Sequence, residues 1–292
     1  MSNRKPAAER ALAPGIALVL LTVVISGVSN FVNFRAVQGT NVDAWIAVRN
    51  AFVALLLVPG ALLLGRGARH PLARAEWGQL ALVGLVGGAI PFLLYFHGFQ
   101  LAASQGGAAG ASLGYRSLFL IATVLGVLAL RERVPRRFLP AAGLLMAGNV
   151  LLVAFTGPVW TDGSAFVLLA TGLWAGEYTL SKRLLRALPA GTVGLGRMGF
   201  GAAFLRAYLA LSGQVTSVVG FSGGDWMALS FSALLLFAFV STWYAGLRTV
   251  DLSLASSLLV IAFPITWLLS VLTARNAFTV EQAVGAAAIA SG

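Results

Sequence analysis

The feature that most constrains this chain is a succession of apolar blocks, each about as long as a bilayer's hydrocarbon core is thick. A helix crossing that core needs roughly 20 apolar residues. Reading the blocks between charged or Gly/Pro-rich breaks gives ten of them: 15–35, 44–65, 77–100, 104–130, 137–156, 163–182, 191–213, 226–247, 252–274 and 279 onward. They are continuously apolar rather than alternating, which excludes a β-barrel. Composition agrees, because 59% of the 292 residues are hydrophobic and 10% are charged, against about 25% charged in soluble domains. So few charges cannot solvate a soluble surface, and so high a hydrophobicity excludes disorder. The expected fold class is all-α integral membrane, with ten transmembrane helices. The first block is not a cleavable signal peptide, since the following blocks keep its character and no A-x-A-like site closes it. The tenth is short and reads as an incomplete helix.

The net charge of +11 does not indicate nucleic-acid binding, because the basic residues are scattered singly between apolar blocks. They read instead as topology determinants. On one side lie Arg4, Lys5, Arg10, Arg66, Arg69, Arg74, Arg131, Arg133, Arg136, Arg137, Lys182, Arg183, Arg186 and Arg248. The other side has Arg35 and Arg275, while Arg49, Arg116, Arg197 and Arg206 fall inside blocks. This bias puts both termini in the cytoplasm and suits a multi-pass protein of a bacterial-type inner membrane.

The two halves match at a shift of 148 residues: Arg35 meets Arg183, Arg49 meets Arg197, Gly98 meets Gly246, and Tyr95-Phe96 meets Trp243-Tyr244. Five spans per half is an odd number, so the second half enters the membrane upside down. Inverted repeats of this kind are typical of secondary transporters with a site at the repeat interface. The expected organisation is a tail over 1–14, a first five-helix repeat over 15–157 and a second, inverted one over 158–292.

At this point the chain resembles the drug/metabolite transporter superfamily, with its two EamA-type five-helix repeats. The stretches that carry the resemblance run from Tyr95 to Ala111, through Arg131-Glu132-Arg133, to the small-residue helix Ala141–Gly148. In the second half they run from Trp243 through Asp251-Leu252-Ser253 to Pro264, then Phe278-Thr279-Val280-Glu281 and Gly285. Two departures stand out. Asn276 stands where a second acid matching Glu132 would be, and Arg116-Ser117 replaces the proline usual in helix four. Within the superfamily the aromatic-rich interior is most similar to the aromatic amino-acid exporter branch. The resemblance implies export of small metabolites by alternating access, without a cofactor.

Polar residues spaced at i, i+3, i+4 and i+7 share one helix face. Ser26, Ser29, Asn30 and Asn33 do so in the first block, and the 148 shift maps them onto Trp174, Glu177, Tyr178 and Ser181. Lipid rejects such faces, so they either line a cavity or hydrogen-bond between helices. Phe92, Tyr95, Phe96 and Phe99 form an aromatic face whose mate carries Trp243 and Tyr244, and these read as cavity wall. His97, on the other side of its helix, reads as a satisfied packing residue rather than a proton carrier. The small-residue run Gly106–Ser112 allows close packing and places Tyr115 and Arg116 deep. Ser253, Ser256 and Ser257 lie in the ninth block, which Pro264 can kink. Arg49 and Arg197 are shallow enough to snorkel and read as structural. Arg116 and Arg206 are deeper; Arg116 reads either as the partner of a substrate carboxylate or as a structural partner of backbone carbonyls. The expected substrate-binding set is Ser26, Asn30, Asn33, Tyr95, Tyr115, Arg116, Trp174, Tyr178, Ser181, Trp243, Tyr244 and Ser253. Glu177 reads first as a structural ion-pair partner of Lys182 or Arg183, its nearest cations in sequence, and alternatively as the coupling residue.

Chemistry other than transport finds little support. There is no cysteine, no G-x-x-x-x-G-K-[ST], no H-E-x-x-H and no G-x-S-x-G. No metal site and no enzyme activity are expected. The partners expected are a small-molecule substrate, aromatic or neutral amino acids foremost, and the lipid bilayer. Nucleic acid is not expected, and both a monomer and an oligomer are compatible with the sequence. The rival readings are a multidrug or sugar-phosphate transporter of the same superfamily, a lipid-modifying membrane enzyme and a passive channel.

Overall fold

The computed structural model describes residues 7–36, 40–65, 72–153, 158–274 and 279–292. Arg4, Lys5, Arg66, Arg69, Arg275, Asn276 and Phe278 lie outside the described residues. Among those described, the chain is helical with no strand, as its continuous apolar blocks require. The first two blocks form α1 (Ala7–Ala36) and α2 (Val42–Gly65). The third forms α3 (Arg74–Val83), a π-helical turn (Gly84–Ala89) and α4 (Ile90–Ser104). The fourth is divided into α5 (Ala108–Arg116) and α6 (Leu118–Leu130), and α7 (Phe138–Val153) follows. The second half holds α8 (Asp162–Leu184), α9 (Ala190–Leu211), a 3-10 turn (Val215–Gly220) and α10 (Gly223–Leu247). Its ninth block is divided into α11 (Leu252–Leu259) and α12 (Ala262–Ala274), with α13 (Val280–Ser291) last.

Six stretches are long and apolar enough to cross a bilayer among the described residues: Leu12–Asn33, Val42–Ala61, Arg74–Ser104, Ala108–Leu130, Gly223–Leu247 and Leu252–Thr273. Phe138–Val153 is apolar but shorter. Some helix starts carry side-chain caps. Thr161 accepts from Ser164 N at 3.2 Å ahead of α8, and Ser222 with Asp225 closes a capping box on α10, which satisfies backbone donors that the helix itself leaves open.

The interruptions have local causes. Pro264 offers no N–H to the Val260 carbonyl one turn earlier, and the ninth block breaks there, between α11 and α12. At the break in the fourth block, Ser117 Oγ donates to Gly114 O at 2.7 Å. Pro91 likewise has no N–H to return to Gly87 O, and the π-helical turn sits immediately before it.

Helix α1 packs on α10 and α12, and α8 packs on α4 and α6; α2 lies against α9, α6 against α11 and α7 against α13. Two crossings are matched at the 148 spacing. A Cβ on Gly98 would stand 2.9 Å from Gly163 O and 3.1 Å from Val167 N; one on Gly246 would stand 3.1 Å from Gly15 O and 3.2 Å from Val19 N. Only glycine admits backbones this close. Among the largest fully buried side chains are Trp45, Ile46, Met198, Leu205 and Leu229.

Candidate functional site

A cavity of about 540 Å3 lies between the two halves. Its lining runs from Thr40, Gln100, Ala103, Ala108 and Ser270 down to Arg49, Tyr178 and Arg197. Gln100 and Ala103 are exposed, so the cavity opens at the end where α1 stops and α2 starts. The opposite end is fastened by side chains that reach backbone. Glu132 accepts from Leu252 N (2.6 Å), Ser253 N (2.9 Å) and Ser253 Oγ (2.7 Å) at the start of α11. Lys182 Nζ donates to Leu247 O and Val250 O at 2.6 and 2.7 Å, and Arg183 Nη2 to Ala129 O at 2.7 Å.

One wall is aromatic. Tyr95, Tyr115 and Trp174 form a triangle with centroids 5.0, 5.5 and 5.6 Å apart. Phe92 meets Trp174 edge-on at 5.4 Å, and Phe263 meets Tyr115 at 5.8 Å. These edge-to-face distances fall in the favourable range for aromatic pairs. The wall is pinned through the π-helical turn. Gly87 O, which Pro91 cannot use, accepts from Trp174 Nε1 at 3.1 Å and from Arg197 Nε and Nη2 at 3.3 and 3.2 Å. The neighbouring Gly88 O accepts from Asn50 Nδ2 at 2.8 Å. Closeness here depends on missing side chains, since a Cβ on Gly87 would collide with Glu177 and one on Gly88 with the Arg197 carbonyl.

A second portion of the wall is polar. Ser26, Ser29, Asn30 and Asn33 of α1 all line the cavity. Asn33 donates to Ser29 Oγ at 3.1 Å and accepts from Ser232 Oγ at 2.5 Å. On α12, Phe263, Thr266 and Ser270 share a face of the cavity.

Of the residues expected from sequence to bind substrate, the lining thus includes Ser26, Asn30, Asn33, Tyr95, Tyr115, Arg116, Trp174 and Tyr178. Four others are elsewhere. Trp243 and Tyr244 are fully buried behind the wall, Trp243 4.8 Å from Tyr178 and stacked on Phe239 at 6.1 Å. Ser181 is buried and donates to Glu177 Oε1 at 2.5 Å, while Ser253 is held by Glu132. The expected α8 face splits because residues 174 and 178 point into the cavity, whereas 177 and 181 turn to α9 and α10.

Glu177 is therefore not open to the cavity. Tyr244 Oη donates to its Oε1 at 2.6 Å, and Oε2 stands 3.7 Å from Arg197 Nε. Lys182 and Arg183, its expected cations, bind backbone carbonyls instead. Lys182 is five residues on, which at 100° per residue faces another side of the helix. Two further expectations are corrected. Arg49 and Arg197 do not snorkel, being 1% and 2% exposed and both in the cavity lining. Arg206, expected deep, is exposed. His97 has a partner, as a satisfied packing residue should: its Nε2 lies 2.6 Å from Asp43 Oδ1, a residue that also accepts from Tyr208 and Gln214.

Sequence reasoning missed Arg49, Arg197, Phe239, Phe263, Thr266 and Ser270 as lining residues, and the Gly87 carbonyl as the tether of the wall. The i, i+3, i+7 spacing of Phe263, Thr266 and Ser270 was a usable signal. So was the Gly84-x-x-x-Gly88 pair ahead of Pro91. No group of three or more His, Cys, Asp or Glu that could hold a metal ion occurs among the described residues.

The EamA-like transporter family matches residues 13–154 and 162–292. Two WAT1-related proteins of Arabidopsis thaliana are 24% and 23% identical over 59% and 55% of this chain. These alignments span 46% and 49% of the relatives, so the chain matches about half the length of each. A crystal structure at 21% identity superposes with TM-score 0.75 over 97% of this chain and 96% of its own. At that identity the likeness concerns the fold.

Proposed function

The chain belongs to the EamA-like transporter family, and on that premise we propose that it exports small amphipathic metabolites, aromatic or neutral amino acids foremost, by alternating access at the central cavity. As a member of that family it is a multi-pass membrane transporter of small molecules. The observation that carries the narrower reading is the Tyr95–Tyr115–Trp174 triangle on the same cavity as the Ser26/Ser29/Asn30/Asn33 face. Rings suit an apolar side chain, and short polar groups suit a charged backbone end. With the rings 5.0–5.6 Å apart, the wall offers faces and edges to a further ring.

The proposed architecture is ten spans in two inverted halves, 15–157 and 158–292, with both termini cytoplasmic. The packing supports it. Exchanging the halves turns α1-on-α10 into α8-on-α4, and the Gly98 crossing into the Gly246 crossing. In this orientation the cavity opens away from the cytoplasm, and the Glu132 fastening closes the cytoplasmic end. Transport is proposed to be facilitated, because Glu177 is locked in a buried cluster with Arg197, Ser181 and Tyr244.

Counterflow in proteoliposomes tests the cargo, using labelled phenylalanine, tryptophan, leucine, a nucleotide sugar and a cationic dye. Exchange of the amino acids, aromatic ones fastest, is expected. Exchange of the dye alone would sink the amino-acid reading.

A further inference from the structure

We infer that Arg49 is an anion site on the cavity wall, receiving the carboxylate of a cargo whose apolar body lies against the aromatic triangle; the inference rests on the central cavity being the transport site. Among the described residues three arginines line that cavity, and the other two already hold hydrogen-bond acceptors, although Arg197 Nη1 is itself buried and unpaired. Arg116 donates from Nε to Ser112 Oγ at 3.3 Å and from Nη1 to Asn149 Oδ1 at 3.2 Å, with its Cζ 4.5 Å from the Phe263 ring centroid. Arg197 is tied to Gly87 O through two nitrogens and faces Glu177.

Arg49 is different. It is 1% exposed, and both Nε and Nη2 are buried with no hydrogen-bond partner. Its Cζ stands 5.0 Å from the Phe92 ring centroid and 6.0 Å from that of Phe96, so it is cradled by π faces that favour a cation but accept no pair of N–H bonds. A guanidinium does not shed its charge in a protein, and a buried charge without a partner is strongly unfavourable.

The local charge balance points the same way. Arg49, Arg116 and Arg197 share the lining, and Glu177 is the carboxylate buried beside them. Asp43 is engaged by His97, Tyr208 and Gln214, and Glu132 by the start of α11. Arg49 and Arg197 also repel each other. A surplus of fixed positive charge on an apolar cavity selects an anion, and the planar fork of unpaired N–H groups matches a carboxylate in a bidentate manner. The same surplus rejects organic cations. In this arrangement Phe92 serves twice, packing edge-on against Trp174 and presenting its face to Arg49, so the anion site and the ring-binding wall are contiguous.

The test uses full-length protein in detergent and a matched pair of probes, 3-phenylpropanoate and its neutral amide, with L-phenylalanine alongside. Wild type is expected to bind the acid about tenfold or more tightly than the amide, the size of a hydrogen-bonded charge pair. Arg49→Gln should bring that ratio near one, Arg116→Gln should leave it standing, and Arg49→Lys should keep part of it. A purely structural Arg49 would alter stability or both affinities together, not their ratio. A wild-type ratio near one overturns the inference even if Arg49→Gln fails to fold, as does an unchanged ratio in Arg49→Gln. The amino-acid reading fails separately. If the acid is preferred through Arg49 while L-phenylalanine neither binds nor exchanges, the anion site stands and the amino-acid cargo falls. If L-phenylalanine exchanges equally well in Arg49→Gln, the cargo stands and the anion site falls. No binding of either acid overturns both.

Discussion

Glu177 Oε2 lies 3.7 Å from Arg197 Nε, with the two side chains 0% and 3% exposed. This pair couples α8 to α9 at the level of the cavity, and its partners were separated by 20 residues of sequence. Removing one charge leaves the other buried without compensation. Glu177→Gln should therefore destabilise the protein by about 3 kcal/mol, the usual consequence of breaking a buried pair. The Glu177→Gln/Arg197→Gln double variant should recover part of that loss. Thermal unfolding of the purified protein in detergent checks both, and strictly additive losses would show that the pair does not interact.

An imposed pH gradient should leave counterflow rates largely unchanged. The acid nearest the cavity is enclosed by Arg197, Ser181 and Tyr244 and is absent from the cavity lining. Liposomes with and without a gradient decide the matter. Proton flux that follows substrate flux and vanishes in Glu177→Gln would make the protein an antiporter.

Trp174→Ala removes a ring with three aromatic neighbours on the cavity side, Phe92, Tyr95 and Tyr115. At roughly 1 kcal/mol per aromatic contact, affinity for aromatic cargo should fall by about fivefold or more, with smaller losses for leucine. Trp174→Phe should restore most of it. Equal losses for both cargos would mean that the ring only shapes the protein.

Trp243→Ala should behave in the opposite way. The side chain is fully buried behind Tyr178 and does not line the cavity. A stability loss of about 3 kcal/mol is expected from the void, while the ratio of phenylalanine to leucine exchange stays constant. A changed ratio with normal stability would place Trp243 in contact with cargo.

The Glu132 fastening makes a further outcome measurable, because the chain contains no cysteine. Glu132→Ala removes the acceptor for Leu252 N, Ser253 N and Ser253 Oγ. A cysteine introduced at Ser253, Ser256 or Ser257 should then label faster with a water-soluble thiol reagent in this variant than with Glu132 intact. Unchanged labelling would show that this end is held shut by other contacts.

Hydropathy made the helices legible, since bilayer-length apolar runs leave few alternatives. It also located the aromatic and Ser/Asn faces of α4 and α1. What it could not give was depth and rotation. Arg49 sits close to a helix start, and distance along the helix suggests that it reaches water. Packing of α2 against α9 instead encloses it. Trp243 and Tyr95 occupy matched positions, yet one lines the cavity and the other does not, because the two halves leave the space on one side of their interface open. Glu177 pairs with a cation on another helix, which local spacing cannot reveal. The break in the ninth block was foreshadowed by Pro264; the break at Ser117 and the turn before Pro91 were not, although at Pro91 the same missing N–H was there to be read.

That missing N–H gives position 91 an influence out of proportion to its contacts. Pro91 is buried and absent from the cavity lining, yet it releases the carbonyl to which Trp174 and Arg197 are tethered. Any other residue there would bring a donor competing for that oxygen, loosening an aromatic ring and a cation at one stroke. Cargo preference in such a protein can therefore drift through a substitution that never meets the cargo. Two relatives with the same wall residues and a different residue at this position need not carry the same thing.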